Sequence, residues 1–341
     1  MLRQHSAPRD LRGAGVKVVK VFGAIAGLCA ALALGPAQAQ EHVLRLGYLF
    51  SQKSQLGAGA ERFASEVAKR TSGNYRIELY PNGSVGGEVE MADELRLGHL
   101  DMAFITSAPF AGIIPEFGVF DIPFLFRDAR HAHAVLDGAI GQEYLKKFQQ
   151  KGFVALAWGE NGMRHITNSK RPIAGPDDLK GLSMRVPQSD VMLAGFRSFG
   201  VKAEPLAFPA LYGALQTGQF DGQENPIAVI TASHFERVQK YLTLSGHIYS
   251  WAAILISKPA WDAMGASEQK ALVEAARAGG QVSREVAGRA EKDGVEDLRK
   301  AGMNVVSAVD RSAFERSLQA TTREFGKRFG PDLIQQIKSV Q

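Results

Sequence analysis

The sequence predicts a two-domain α/β protein in which each domain is a sheet flanked by helices. Three observations lead there. Strand-like and helix-like apolar patterns alternate from Leu44 onward, in β-α-β units whose length requires a mainly parallel sheet covered on both faces. The chain has 341 residues, which suggests two domains at roughly 150 residues each. One periodic stretch, Ser267 to Ala301, is longer than a single domain is wide.

The first 39 residues read as a signal peptide rather than structure. Arg3, Arg9, Arg12, Lys17 and Lys20 make a basic start, Val21 to Leu34 is uncharged, and Ala37-Gln38-Ala39 is the small-x-small pattern of a cleavage site. A membrane anchor is the competing reading. The uncharged run would span about 21 Å as a helix, short of the roughly 30 Å of a hydrocarbon core. Cys29 follows Leu28, where a lipoprotein signal needs a small residue, so the cysteine is an apolar residue of the leader. The chain from Gln40 has no other cysteine, which excludes disulfides, thiolate metal sites and cysteine nucleophiles there. The leader also carries most of the formal charge of +5. No basic run follows it, so nucleic acid is not an expected partner.

Beyond the leader, Leu44, Leu46 and Tyr48 alternate as a strand, and Leu56, Ala60, Phe63 and Val67 recur at helical spacing up to Gly73. Tyr75, Ile77 and Leu79 make a second strand. Glu88 to Leu97 reads as a helix stopped by Gly98, and Leu100 to Ile105 as a third strand. Further strands fall near Phe153–Trp158 and Leu182–Val186. Pro209 starts a helix through Thr217, and Pro226 one that runs to about Val238. The Ser267–Ala301 pattern, about 50 Å at ~1.5 Å per residue, either braces both domains or bends at Gly279-Gly280. With no low-complexity linker in the chain, the domains are expected to be joined by several crossovers.

Enzyme signatures are missing: no G-x-S-x-G elbow, phosphate loop or H-E-x-x-H occurs. Gly57-Ala58-Gly59 is a fragment of a dinucleotide fingerprint inside a helix pattern. His131 and His133 turn about 200° apart on a helix, so they share no metal face; both are expected on a solvated surface. No metal or cofactor is predicted. Three segments carry chemistry. In Gly181 to Pro187, Leu182, Met184 and Val186 alternate, which sets Arg185 on the opposite face; buried, it needs an internal acid or a ligand carboxylate. Phe208-Pro209 precedes a helix without offering a cap, and its ring is either core or the wall of a ligand pocket. In Asp221 to Pro226, Asn225 is either a plain helix cap or an amide at an anion site.

In this order the three segments resemble the solute receptors of the tripartite ATP-independent periplasmic (TRAP) transporters, the dicarboxylate- and sialic-acid-binding family. The most specific stretches are Gly162 to Ser169, Gly181 to Pro187 and Ala214 to Pro226. The resemblance implies a two-domain periplasmic-binding-protein fold with mixed sheets and a long helix touching both domains. Its domains are discontinuous, residues 40–162 with 251–290 and residues 163–250 with 291–341. It implies that Arg185 grips the carboxylate of a small organic acid, with Arg164 supporting it, Asn225 hydrogen-bonded to the same carboxylate and Phe208 as a wall. Thr106 and Glu88 would line the first domain's side, with Gln188 and Trp251 nearby. Sialic-acid-type members carry an acid where Thr106 stands, a departure that argues against that ligand. A sugar acid, hydroxy acid or dicarboxylate is implied instead, delivered in the periplasm to a small and a large integral membrane subunit driven by an ion gradient. Two alternatives stay open: a secreted α/β enzyme with Glu88 as base, and a receptor that serves a membrane kinase.

Overall fold

The computed structural model describes residues 42–341; the leader, Cys29 and the cleavage site lie outside the described residues. Nine strands form one sheet: β1 (His42–Tyr48), β2 (Tyr75–Tyr80), β3 (Met102–Thr106), β4 (Phe153–Asn168), β5 (Ser183–Val186), β6 (Lys202–Pro205), β7 (Gly222–Pro226), β8 (Tyr241–Ser257) and β9 (Asn304–Val306). Their order is β2-β1-β3-β8-β4-β7-β5-β6, with β9 beside β8. At one end β1 pairs in parallel with β2 and β3. At the other, β5 pairs in parallel with β6 and β7. Between these groups run β4 and β8, the two longest strands, antiparallel to each other and to their neighbours β7 and β3.

The expectation of a mainly parallel sheet therefore needs correction. The β-α-β units were legible at both ends, but the strand that turns the sheet mixed was not. From Ile248 to Ile256 its residues are apolar with one exception, Ser250, and a continuous run has no period to separate a buried strand from a buried helix. The segment ending at Pro226 is corrected too. It is strand β7, its backbone committed to β4 through pairs such as Asn225↔His165. The helix that follows covers only Ile227–Ala232 and has no side-chain cap, so Asn225 is not a helix cap.

Helix α1 (Gln55–Arg70) is capped by Ser54, whose side chain accepts from the Gly57 amide. It packs its Leu56, Ala60, Phe63 and Val67 stripe on the β1–β3 group. The long helix, Ala266–Lys300, is unbroken across Gly279 and Gly280. These glycines are there for contact rather than bending. A methyl group on Gly279 would lie 2.6 Å from the Gly59 carbonyl, one on Gly59 would lie 2.8 Å from that of Gly279, and one on Gly280 would overlap the Trp158 carbonyl. This mutual approach accounts for Gly59 of the Gly57-Ala58-Gly59 fragment, while a methyl group on Gly57 would overlap the Gln52 carbonyl. The long helix crosses α1, β4 and the helix Ile227–Ala232, and so spans both strand groups.

Apolar cores lie on both faces at each end. The densest is aromatic, with Phe110, Phe117, Phe148, Trp158 and Trp251 in mutual ring contact. His131 is buried and His133 half-buried, so neither stands freely on the solvated surface expected. His131 accepts from the Arg127 amide and reaches the Ile337 carbonyl at 2.9 Å, while His133 lies 2.5 Å from Glu160. Their 200° separation holds, with His131 turned into the core and His133 toward Glu160 at its edge.

Candidate functional site

The carboxyl ends of the parallel strands from both groups converge on one narrow cleft. Leu49 follows β1, Ala108 and Pro109 follow β3, Arg185, Pro187 and Gln188 come from β5 and its exit, and Ala207 and Phe208 follow β6. Glu88 and Val89 enter from the amino end of α2 (Glu88–Leu97). This is where parallel α/β sheets bind ligands, because the loops beyond the strand ends are free to vary.

Arg185 projects from β5 opposite Met184 and Val186, as the alternation requires, and is 3% exposed. Its Nε donates to the Leu206 carbonyl at 2.8 Å. Its two terminal amino groups donate to no described residue, and it forms no ion pair with a described carboxylate. Burial pulls the guanidinium down to about 10; Glu224 and Glu88 oppose that through space and Arg164 adds to it. A buried cation with most of its donors unspent is the most telling feature of the site, since buried charges are otherwise paired.

Glu88 stands in the same cleft. Its carboxylate accepts from the Thr106 amide at 2.7 Å and the Thr106 hydroxyl at 2.9 Å. Burial pushes its carboxyl up, against those two bonds and the nearby Arg185 and Arg164. Thr106, buried at the end of β3, thus acts by orienting Glu88. Phe208 opens a 3-10 turn, Phe208–Ala210, with Ala207 in the capping position. Its ring meets Phe50 edge-on at 4.9 Å, closing one side of the cleft. Gln188 is exposed at the rim.

Arg164 is placed differently. Its Nε and Nη2 bind both carboxylate oxygens of Glu224 at 2.5 and 2.7 Å, and Nη2 also reaches the Glu224 carbonyl and Asn225 Oδ1. Both partners are buried, at 2% and 0% side-chain exposure. Burial alone would raise the Glu224 carboxyl, but Arg164 and His247 outweigh it and hold it at about 2. His247 joins Glu224 at 3.1 Å and Ser245 at 2.7 Å. Asn225 passes a bond to Gln223, which continues to Thr167 and Gln239. Arg185 pairs with Gln223 in the β5–β7 register, which sets this network beside the strand that carries Arg185, but neither Arg164 nor Asn225 lines the cleft. Trp251 is not brought to the cleft; it is fully buried and stacked on Phe110.

Sequence reasoning missed Glu224 and Asp121. Glu224 lies inside one of the singled-out segments, and the demand for an internal acid made for Arg185 would have found it if applied to Arg164. Asp121, 1% exposed, accepts from the Ser189 hydroxyl at 2.8 Å. It follows Phe117-Gly118-Val119-Phe120 and had no local signature. Among the described residues no helix is long and apolar enough to cross a membrane, and no cluster of three or more His, Cys, Asp or Glu side chains could hold a metal.

The model of the bacterial extracellular solute-binding proteins, family 7, matches residues 46–328. The chain belongs to this family. It is 43% identical over 303 residues, 89% of this chain and 90% of the other, to a solute-binding protein of Verminephrobacter eiseniae. A TRAP periplasmic solute-binding protein of Polaromonas sp. JS666, bound to D-erythronate, superposes with a TM-score of 0.87 at 42% identity, covering 88% of this chain and 99% of that one. Another from Bordetella, with density assigned as pantoate, gives 0.86 at 40% identity, with 88% and 100% covered. As a family 7 protein the chain is a TRAP-type binding receptor and not an enzyme, so Glu88 is not a catalytic base. The two-domain binding-protein fold is shared with these neighbours.

Proposed function

We propose that this family 7 protein captures a small hydroxylated organic acid in the periplasm, holds its carboxylate on Arg185, and hands it to the two membrane subunits of a TRAP transporter. The observation that carries the reading is the Arg185 guanidinium, buried at a cleft with its terminal amino groups unclaimed by protein. A carboxylate matches that planar pair of donors. The Polaromonas and Bordetella neighbours support it, since erythronate and pantoate are both short hydroxy acids with one carboxylate. Arg164 and Asn225, engaged with Glu224, back the anchor and hold its strand in place.

Capture proceeds by closure of residues 40–162 with 251–290 upon residues 163–250 with 291–341. Supporting this division, Gly162 faces Ser250 across β4 and β8, next to a register shift between Glu160 and Gly162, and Gly162 has φ +131. A strand interrupted by a bulge and a left-handed glycine bends there most easily. Closure excludes water and strengthens each charge-assisted bond. The bound form then presents a new surface to the membrane subunits. Residues 1–39 direct export and are then removed.

Calorimetric titration of the secreted protein with a panel of short organic acids tests the reading. At least one hydroxy acid should bind in the micromolar range or tighter. A protein that binds none, or one that retains its first 39 residues when recovered from the periplasm, sinks it.

A further inference from the structure

We infer that the protein carries a second ligand site outside the Arg185 cleft, a pocket for a small multivalent anion built of carboxylates or phosphates. It lies between the helix Ala139–Lys147, the long helix and the edge of β4. Its room of about 410 Å³ falls within the range of small-molecule sites, roughly 300–1,000 Å³.

Sheet topology leaves this space open. β7 takes up the second edge of β4 only from Arg164 to Asn168. Upstream, that edge has no strand partner among the described residues. The Glu160 amide turns to it and donates to the Ser283 hydroxyl at 3.0 Å, and alternation turns the Trp158 amide the same way. The long helix covers the edge where Gly280 meets the Trp158 carbonyl. Beyond that contact, at residues 155–157, the pocket begins.

Charge selects the occupant. Lys146, Arg277 and Arg284 line the pocket, and Asp137 is the one acid beside them. Asp137 is already spent, since both its oxygens accept from Arg284, at 2.7 and 2.8 Å. Lys146 and Arg277 pair with no described carboxylate. Three cations against one acid leave a surplus of two positive charges. Gln142 and Gln149 add amides without protein partners. Two further donors of the lining are buried and unpartnered: Nε of Arg284, whose side chain is 12% exposed, and the indole N–H of Trp158, 5% exposed. Buried donors are rarely left so. An oxyanion supplies acceptors to such a set and carries the charge that the surplus attracts.

Calorimetry at low ionic strength tests the site, with citrate as the polycarboxylate and pyrophosphate as the phosphate, on the parent and on Arg185→Met. At least one of the two should bind, within about threefold as well when Arg185 is replaced. Lys146→Gln with Arg277→Gln removes two charge-assisted bonds and should weaken that binding by about tenfold or more. The same double variant should keep the parent's affinity for the hydroxy acid of the cleft, which shows that it is folded. In isotope-labelled protein the three tryptophans give separate indole signals; that of Trp158 should move with the anion and that of Trp261 should stay. Citrate binding alone assigns carboxylates, pyrophosphate binding alone phosphates. Three results overturn the site: neither anion binds, binding disappears with Arg185→Met, or the double variant binds as the parent does.

Discussion

Replacing Arg185 by methionine should separate binding from stability. Methionine fills the unbranched stem as far as Nε and discards the charge and the donors. Without ligand, the substitution loses one bond to the Leu206 carbonyl, worth about 1 kcal/mol net. It also removes an unpaired buried cation. That cation is depressed from the usual arginine value to about 10, a burden on the order of 3 kcal/mol. The ligand-free variant should therefore unfold no earlier than the parent, and by this balance up to about 2 kcal/mol later. With ligand the sign reverses. Two charge-assisted bonds disappear and a ligand carboxylate is left unpaired, which costs about 2–5 kcal/mol, or roughly 30- to 5,000-fold in Kd. Calorimetry gives the affinity and chemical denaturation of the ligand-free protein gives the stability. An affinity change below tenfold refutes the anchor, and so does a ligand-free variant several kcal/mol less stable than the parent, because that would make Arg185 a structural ion. The guanidinium holds its proton until pH nears 10, so the anchor itself adds no pH dependence between pH 6 and 9.

Arg164→Met should do the opposite to the fold. It strands Glu224, which is fully buried, and should lower stability by about 3–5 kcal/mol in urea titration. Asp121→Asn isolates a pH effect. Burial pushes the Asp121 carboxyl up to about 7, opposed mainly by its bond from Ser189, with Arg164 and Glu224 acting through space. A raised carboxyl favours the fold fully below about pH 4, and that advantage is lost as pH rises through 7. The stability of Asp121→Asn relative to the parent should thus climb between pH 4 and 7 and level off above; a pH-independent difference would rule the titration out. On the long helix, Gly280→Ala should cost about 1–3 kcal/mol through overlap with the Trp158 carbonyl. Gly288→Ala, with nothing within 4 Å, should instead gain about 0.4–1 kcal/mol, as read by thermal melting.

The legible parts of the chain were those with a period. Alternation placed β1, β2, β3 and β5, and a 3.6-residue recurrence placed α1 and the long helix, because one face of each is buried. Arg185 was legible for the same reason: Met184 and Val186 fix the face it does not share. Where burial is complete the signal vanishes, and β8 went unread. Asn225 shows a second limit. Asparagine before proline has a strong local preference for a helix start, yet pairing with β4 overrode it. A third limit is relational. That Arg164 has Glu224 as its acid, while Arg185 has none within reach, depends on the register of β4, β5 and β7, which no segment announces alone. Trp251 was placed by nearness in sequence, and strand alternation turned it toward Phe110.

The shared strands β4 and β8 would give the proposed closure a particular mechanical character. Both halves hang on the same hydrogen-bonded ribbon, and the long helix is riveted to it where Gly280 touches Trp158. The closure proposed above would then flex a stiff leaf and not swing on a tether. Such a joint has essentially one mode and a built-in resting angle. Its restoring force, set by the backbone of a bulged ribbon, acts equally on every acid that enters, so discrimination among ligands falls entirely to the walls of the cleft.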